Sequence, residues 1–195
     1  MQAEALARQL TERGALLEGH FRLSSGRHSN RFIQKFRILE DPALVAPIAA
    51  SLAAEVRRFA PTIVVSAAVG GIVLGYETAK QLGTKAIFVE KENGAPALRR
   101  AFTLTPDDRA FVVEDVVTTG SSVREVLDIV RSHGAAPVAV GVIVRREPIE
   151  FGIPTLALLD LPVVSYEPAD CPQCTQEEQL TEPGSRYLPQ HGAEP

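Results

Sequence analysis

The sequence predicts an α/β fold, a central parallel sheet flanked by helices, with a small N-terminal flap ahead of it. Three observations carry that reading. Short β-branched runs, such as Ile63-Val64-Val65 and Phe111-Val112-Val113, alternate with longer stretches of helical periodicity. Glycine, proline or aspartate stands at the handovers between them. The chain of 195 residues is 45% hydrophobic and 23% charged, which supplies enough apolar surface for one compact domain.

Taken in order, Ala3 to Arg13 carries leucine and alanine at helical spacing and stops at Gly14, a C-cap residue. Leu16 to Phe36 loses that period, and Ser24-Ser25-Gly26 marks a turn, so short strands in a loop-rich flap are expected. Asp41 at an N-cap and Pro42 in the first turn open a second helix, which runs to about Phe59 ahead of Pro61. Then come a strand at Ile63-Val64-Val65, a helix over Ile72 to Gln81 and a strand over Lys85 to Val89. Phe111-Val112-Val113 is a further strand, and Ser121 to His133 a helix closed by Gly134. Strands over Val138 to Val144 and Thr155 to Leu159 complete the alternation expected of βαβ units. Between Glu92 and Asp108 no period is clear, which suits a binding loop or lid, part of it a hairpin around Leu98 to Leu104. The chain thus divides into an N-terminal helix and flap (1–40), an α/β core (41–160) and a C-terminal extension (161–195) with a frayed end.

A formal net charge of -4 argues against a general nucleic-acid binder. Met1-Gln2-Ala3-Glu4 lacks the basic start of a signal peptide, and no apolar run is long enough to span a bilayer. Two cysteines make no disulfide framework, so a soluble cytoplasmic protein is expected.

Thr118-Thr119-Gly120-Ser121-Ser122 stands where a strand hands over to a helix. Gly120 permits a tight turn and close backbone approach. Backbone N–H groups, four hydroxyls and the helix dipole then point donors at one spot, an anion site. An ordinary helix capped by serine is the alternative that this segment alone leaves open. Glu114-Asp115, just before it, tips the balance. Two carboxylates oppose a bare phosphate, but they suit a ligand that also presents hydroxyls, as a ribose 5-phosphate does. Ligands of open α/β sheets bind beyond the carboxyl ends of the strands, which is where this segment falls.

The apolar run, the acidic pair and Thr-Thr-Gly-Ser together resemble the phosphoribosyl diphosphate signature of type I phosphoribosyltransferases. The resemblance implies that family's fold. It also implies that Glu114 and Asp115 hold the ribose hydroxyls while Thr118, Thr119, Gly120, Ser121 and Ser122 cradle the 5-phosphate. Val69-Gly70-Gly71, at another strand-to-helix turn, resembles the loop that receives the pyrophosphate.

Further segments resemble orotate phosphoribosyltransferases, in a short-loop subgroup. Phe21-Arg22-Leu23-Ser24-Ser25-Gly26 is similar to the flap that closes over the base, implicating Ser25. Ser24 stands where many such enzymes have lysine, which leaves Lys35 or Arg27 as the flap cation. Glu90-Lys91-Glu92-Asn93-Gly94 keeps the first Lys-Glu of the catalytic loop, with Glu90 in place of an arginine and Gly94 in place of the second lysine. Lys91, Arg99 and Arg100 are therefore the cations expected at the leaving pyrophosphate, with a solvated surface as the alternative for the two arginines. Arg146 matches the arginine that faces the orotate carboxylate, a bidentate role suited to guanidinium, while Arg145 replaces an acid. Cys171-Pro172-Gln173-Cys174 and Pro183-Gly184-Ser185-Arg186 are similar to the tail of the same subgroup.

That pair of cysteines is alone, and His20, His28, His133 and His191 are scattered along the chain. A reduced surface turn is expected, with a zinc ion shared between two chains as the alternative. The resemblance further implies magnesium as cofactor, a homodimer, and orotate and phosphoribosyl diphosphate as small-molecule partners, without nucleic acid or membrane. A purine phosphoribosyltransferase, or a non-catalytic regulator that senses phosphoribosyl diphosphate, shares the main motif and stays open here.

Overall fold

The computed structural model describes residues 1–23 and 25–183. Its centre is β6 (Arg109–Val117), flanked in a six-stranded sheet by β3 (Ile63–Ala67) on one side and β7 (Ala136–Arg145) on the other. Alternation along β6 sends Phe111 and Val113 to one face and Ala110 and Val112 to the other, and all four are buried. The first face packs on α1 (Ala3–Glu12), α3 (Pro42–Val56) and α4 (Gly70–Leu82) through Leu6, Leu10, Leu44, Ile48, Leu52 and Leu74. The second packs on α5 (Ser121–Ser132), whose Val123, Val126, Leu127 and Val130 recur at helical spacing. Gly141 on β7 is fixed by its neighbour, because a Cβ there would lie 2.3 Å from the Phe111 ring.

The helix starts follow local chemistry. The Asp41 carboxylate accepts from the backbone N–H of Ala43 at 2.9 Å and pairs with Arg13, and Pro42 occupies the first turn of α3. That helix gives way to a short 3-10 turn at Arg57–Phe59.

The sheet order is β5-β4-β3-β6-β7-β8, with β4 (Lys85–Glu92), β5 (Ala95–Leu98) and β8 (Thr155–Asp160). All neighbours run parallel except β4 and β5, so the expected parallel sheet is mixed at one edge. The hairpin anticipated around Leu98 to Leu104 lies earlier, and its turn is Asn93-Gly94, both at positive φ. Asn-Gly is the preferred pair for such a two-residue turn. The stretch beyond it is not free either: Leu104 is buried and Phe102 stacks edge-on against Phe88 with ring centroids 5.1 Å apart.

The N-terminal flap is a sheet of its own. β1 (Leu16–Arg22) and β2 (His28–Ile33) form an antiparallel pair, and β9 (Ser165–Tyr166) adds to β2. A short helix, α2 (Phe36–Leu39), links this hood to α3. The segment after Leu161 is thus no loose extension over its described part. It returns to the hood, where Thr181 exchanges backbone hydrogen bonds with His20 and Arg22 and α6 (Pro172–Thr175) packs alongside. Backbone pairing and polar contacts hold it with few apolar side chains, so hydrophobic periodicity does not reveal it. Gly184, Ser185 and Arg186 of the tail motif, and Ser24 of the flap, lie outside the described residues. Among the described residues, no helix is long and apolar enough to cross a membrane.

Candidate active site

The site lies at the carboxyl ends of β3, β6 and β7. β6 continues through Glu114 and Asp115, so both acids are held by strand pairing and both are buried, at 7% and 1% exposure. Burial, reinforced by the Asp115 charge, pushes Glu114 up to about 8. The Asp115 backbone N–H donates to Glu114 Oε1 at 3.0 Å. Lys35, just beyond β2, brings its Nζ to 3.0 Å from Asp115 Oδ2 and 3.3 Å from Oδ1, and its hydrogen-bond alignment favours Oδ1. Oδ2 keeps no aligned donor although it is buried.

The paired glycines at the start of α4 have a steric reason. A Cβ on Gly70 would sit 2.0 Å from Asp115 Oδ2 and 2.9 Å from Lys35 Nζ, and one on Gly71 would press on Ser66 at 3.0 Å. The loop, the acid and the hood lysine therefore converge on one point. The Ala68–Val69 peptide here is cis, and Val69 is exposed.

After β6 the chain turns at Gly120, whose φ of 75° suits glycine, and a Cβ there would meet the Phe151 ring at 2.9 Å. Gly120 is also the N-cap of α5 and has no side chain to cap it. The serine-capped helix left open by the sequence is therefore not how α5 begins. Its first N–H groups face a small cleft lined by Glu114, Thr118, Thr119, Ser121 and Ser122, and Thr119 Oγ1 donates to Ser121 Oγ at 3.3 Å.

Arg146 follows β7, and its backbone N–H donates to the Val117 carbonyl at 2.9 Å, which sets it beside the anion loop. Its Nε is buried with no hydrogen-bond partner, and no ion pair forms to its side chain among the described residues. Burial lowers its pKa from the ordinary arginine value, and the group still carries its charge. Arg145 has a different occupation: it grips Asp160 on β8 with two hydrogen bonds, at 2.6 and 3.0 Å.

The three lid cations each face a carboxylate. Lys91 Nζ lies 2.5 Å from Glu125 on α5, Arg99 Nε 3.2 Å from Glu92, and Arg100 Nε 3.0 Å from Glu90. Arg27 is committed to the hood, where it binds Ser165 and Glu167 and so ties the flap turn to β9. Of the two flap cations proposed from sequence, only Lys35 reaches the acids. Ser25 is exposed, its hydroxyl accepting from the Arg27 backbone N–H at 3.4 Å.

Comparison with known proteins agrees with this arrangement. The family model for the phosphoribosyl transferase domain matches residues 37–148. The chain is 46% identical over 177 residues to an orotate phosphoribosyltransferase of Pelotomaculum thermopropionicum, covering 90% of this chain and 93% of that one. It is 42% identical over 190 residues to the orotate phosphoribosyltransferase of Desulforamulus reducens, covering 96% and 100% respectively. The chain belongs to the orotate phosphoribosyltransferase family. A crystal structure of the orotate phosphoribosyltransferase from Aeropyrum pernix superposes with a TM-score of 0.68 at 28% identity, over 80% of this chain and 93% of that one.

Within this phosphoribosyltransferase framework, Glu114-Asp115 and the turns at Gly120 and Gly70-Gly71, singled out from sequence, come together at one end of the sheet. Sequence alone did not find the acidic partners Glu90, Glu92 and Glu125, which take up the lid cations. It also missed the turn at Asn93-Gly94, although that dipeptide was in view. Gly94, with φ of 84°, stands at the tip of the hairpin where a second lid lysine was looked for. A tight turn there favours glycine over any side chain.

Proposed function

We propose that the chain transfers the phosphoribosyl group of phosphoribosyl diphosphate to orotate, giving orotidine 5'-phosphate and pyrophosphate. One observation carries the reading. A buried donor without an acceptor, Arg146 Nε, and a buried acid, Asp115, whose side chain meets Lys35, flank a helix N-terminus that no side chain caps. Ribose hydroxyls suit the acid, a base carboxylate suits the guanidinium and a 5-phosphate suits the helix N-terminus.

In this reading Thr118, Thr119, Gly120, Ser121 and Ser122 hold the 5-phosphate, and Glu114 and Asp115 take the ribose hydroxyls. The transition state of such a transfer is oxocarbenium-like, so the same carboxylates lie near the developing positive charge. Val69, Gly70 and Gly71 offer backbone amides to the pyrophosphate. Arg146 engages the orotate carboxylate, with Ser25 and Lys35 on the hood side. Lys91, Arg99 and Arg100, themselves exposed, turn from their carboxylate partners to the leaving group, an exchange that costs little because surface pairs are weak. The acids bring only oxygen donors to the site, the ligand type that suits magnesium. Mg2+ held beside Glu114 and Asp115 would supply charge neutralisation for the departing diphosphate. A homodimer is supported by the exposed apolar side chains Phe36, Val69, Val73 and Tyr76 beside the site. The reaction is assigned to the cytoplasm, where the unpaired Cys171 and Cys174 stay reduced.

Turnover with phosphoribosyl diphosphate and Mg2+, offered orotate, adenine, hypoxanthine or xanthine, tests the proposal. Productive use of orotate alone is expected. In Arg146→Lys the KM for orotate should rise about tenfold or more, with little change for phosphoribosyl diphosphate, because a point charge replaces a bidentate fork. Binding of phosphoribosyl diphosphate without turnover of any base would point to the sensing regulator instead.

A further inference from the structure

The cysteines and two of the histidines do not stay apart. His20 on β1, His28 on β2, and Cys171 and Cys174 beside α6 place their ligand atoms within 4.8 Å of one another. His20 Nε2 lies 3.0 Å from His28 Nδ1, 3.5 Å from Cys171 Sγ and 3.6 Å from Cys174 Sγ, and His28 Nδ1 lies 3.2 Å from Cys174 Sγ. A tetrahedral zinc with two nitrogen and two sulfur ligands has ligand-to-ligand edges of about 3.4 to 3.8 Å, given its usual bond lengths. The two contacts from His20 to the thiols match those edges, while the nitrogen pair and the His28–Cys174 contact are a few tenths of an ångström short. The expected exposed turn is thus corrected: Cys171 is 1% exposed, and two histidines from the far end of the chain complete the set within one chain.

The hydrogen bonding points the same way. His20 Nδ1 lies 2.9 Å from the Glu178 carbonyl, which can only accept, so Nδ1 carries the proton. Nε2 of the neutral ring is then a bare lone pair, directed at one nitrogen and two sulfurs. This is how a metal-binding histidine is oriented by its outer partner. Gln173, between the two cysteines, donates to the Gly19 carbonyl at 3.2 Å and holds the Cys-Pro-Gln-Cys turn on β1.

We propose that His20, His28, Cys171 and Cys174 bind one structural zinc ion per chain, which pins the C-terminal segment to the N-terminal hood. Two thiolates and two imidazoles suit zinc over the oxygen-seeking cations. Four protein ligands leave no open position, so the ion performs no chemistry. Its work is to hold together strands that pair through few residues and that precede Lys35.

The test is metal analysis of the full chain, purified without chelator and again after stripping and reconstitution with Zn2+. About one zinc per chain is expected, with Tm falling by about 5 °C or more on stripping and returning on reconstitution. Cys171→Ser and Cys174→Ser should lose the zinc. Because these variants risk misfolding, Co2+ reconstitution of the unaltered chain provides a second measurement, and thiolate-to-cobalt charge transfer with tetrahedral visible bands is expected. Substoichiometric zinc after reconstitution, zinc retained by both serine variants, or a cobalt spectrum without thiolate bands would each overturn the assignment.

Discussion

Two carboxylates follow one another on β6, and the strand that carries them runs into the interior, so neither reaches bulk water. For Glu114 the consequence is a proton. Its pKa stands at about 8 in the fold against an ordinary value of 4.5. Between those values the native state holds a proton that the unfolded chain has released, so stability falls as pH rises through that window. His28 works in the opposite direction, since burial lowers its pKa from 6.5, and most of its effect falls below that value with a small tail above it. From pH 6.5 to 8 the ligand-free chain should therefore lose about 1–2 kcal/mol of stability through Glu114. In Glu114→Gln that slope should flatten. Urea unfolding of both proteins at the two pH values measures it, and an equal loss in the variant would assign the slope to other groups. The acidic pair was legible from sequence because its chemistry is local: two acids before Thr-Thr-Gly. The need for Gly70 was not, since it arises from Asp115 and Lys35, which come from distant parts of the chain.

At the scale of elements, the βαβ alternation was readable because each strand and helix buries one regular face, and the observed spans of α1, α4, α5, β7 and β8 begin or end within a few residues of those expected. The departures share a cause. β5, β9 and α6 have only two to four residues each, too few to show a hydrophobic period of their own. The β4–β5 hairpin and the residues just after it place Lys91, Arg99 and Arg100 against Glu125, Glu92 and Glu90 at the sheet edge. If the arginines serve the leaving group, Arg99→Ala and Arg100→Ala should each lower kcat by at least about tenfold while the KM for orotate changes little. Glu90→Gln, which frees Arg100 without removing it, should leave kcat near normal. Steady-state kinetics of the three variants decides the matter, and near-normal kcat in both arginine variants would return them to the solvated surface.

Across the whole molecule, one surface gathers large exposed apolar side chains. Val73 and Tyr76, one turn apart on α4, are 45% and 68% exposed, and Phe36 and Val69 are 46% and 72% exposed. Val73 and Tyr76 line a groove with Leu39, Pro42, Val45 and Ile72, so apolar surface runs from α2 and α3 across α4. Val69 belongs to the loop proposed for the pyrophosphate, and Phe36 follows Lys35, which touches Asp115. A partner chain seated on this face would thus press on both the loop and the hood lysine, and covering it would link assembly to the site. Light scattering on a sizing column should give a dimer for the unaltered chain and a monomer for Val73→Glu/Tyr76→Glu. Neither residue is buried in the chain itself, so far-ultraviolet circular dichroism of the variant should be unchanged. Because the loop and Lys35 lose their neighbour, kcat/KM for phosphoribosyl diphosphate should fall together with the mass. A monomeric unaltered chain at assay concentration, or a variant that stays dimeric, would place the subunit contact elsewhere.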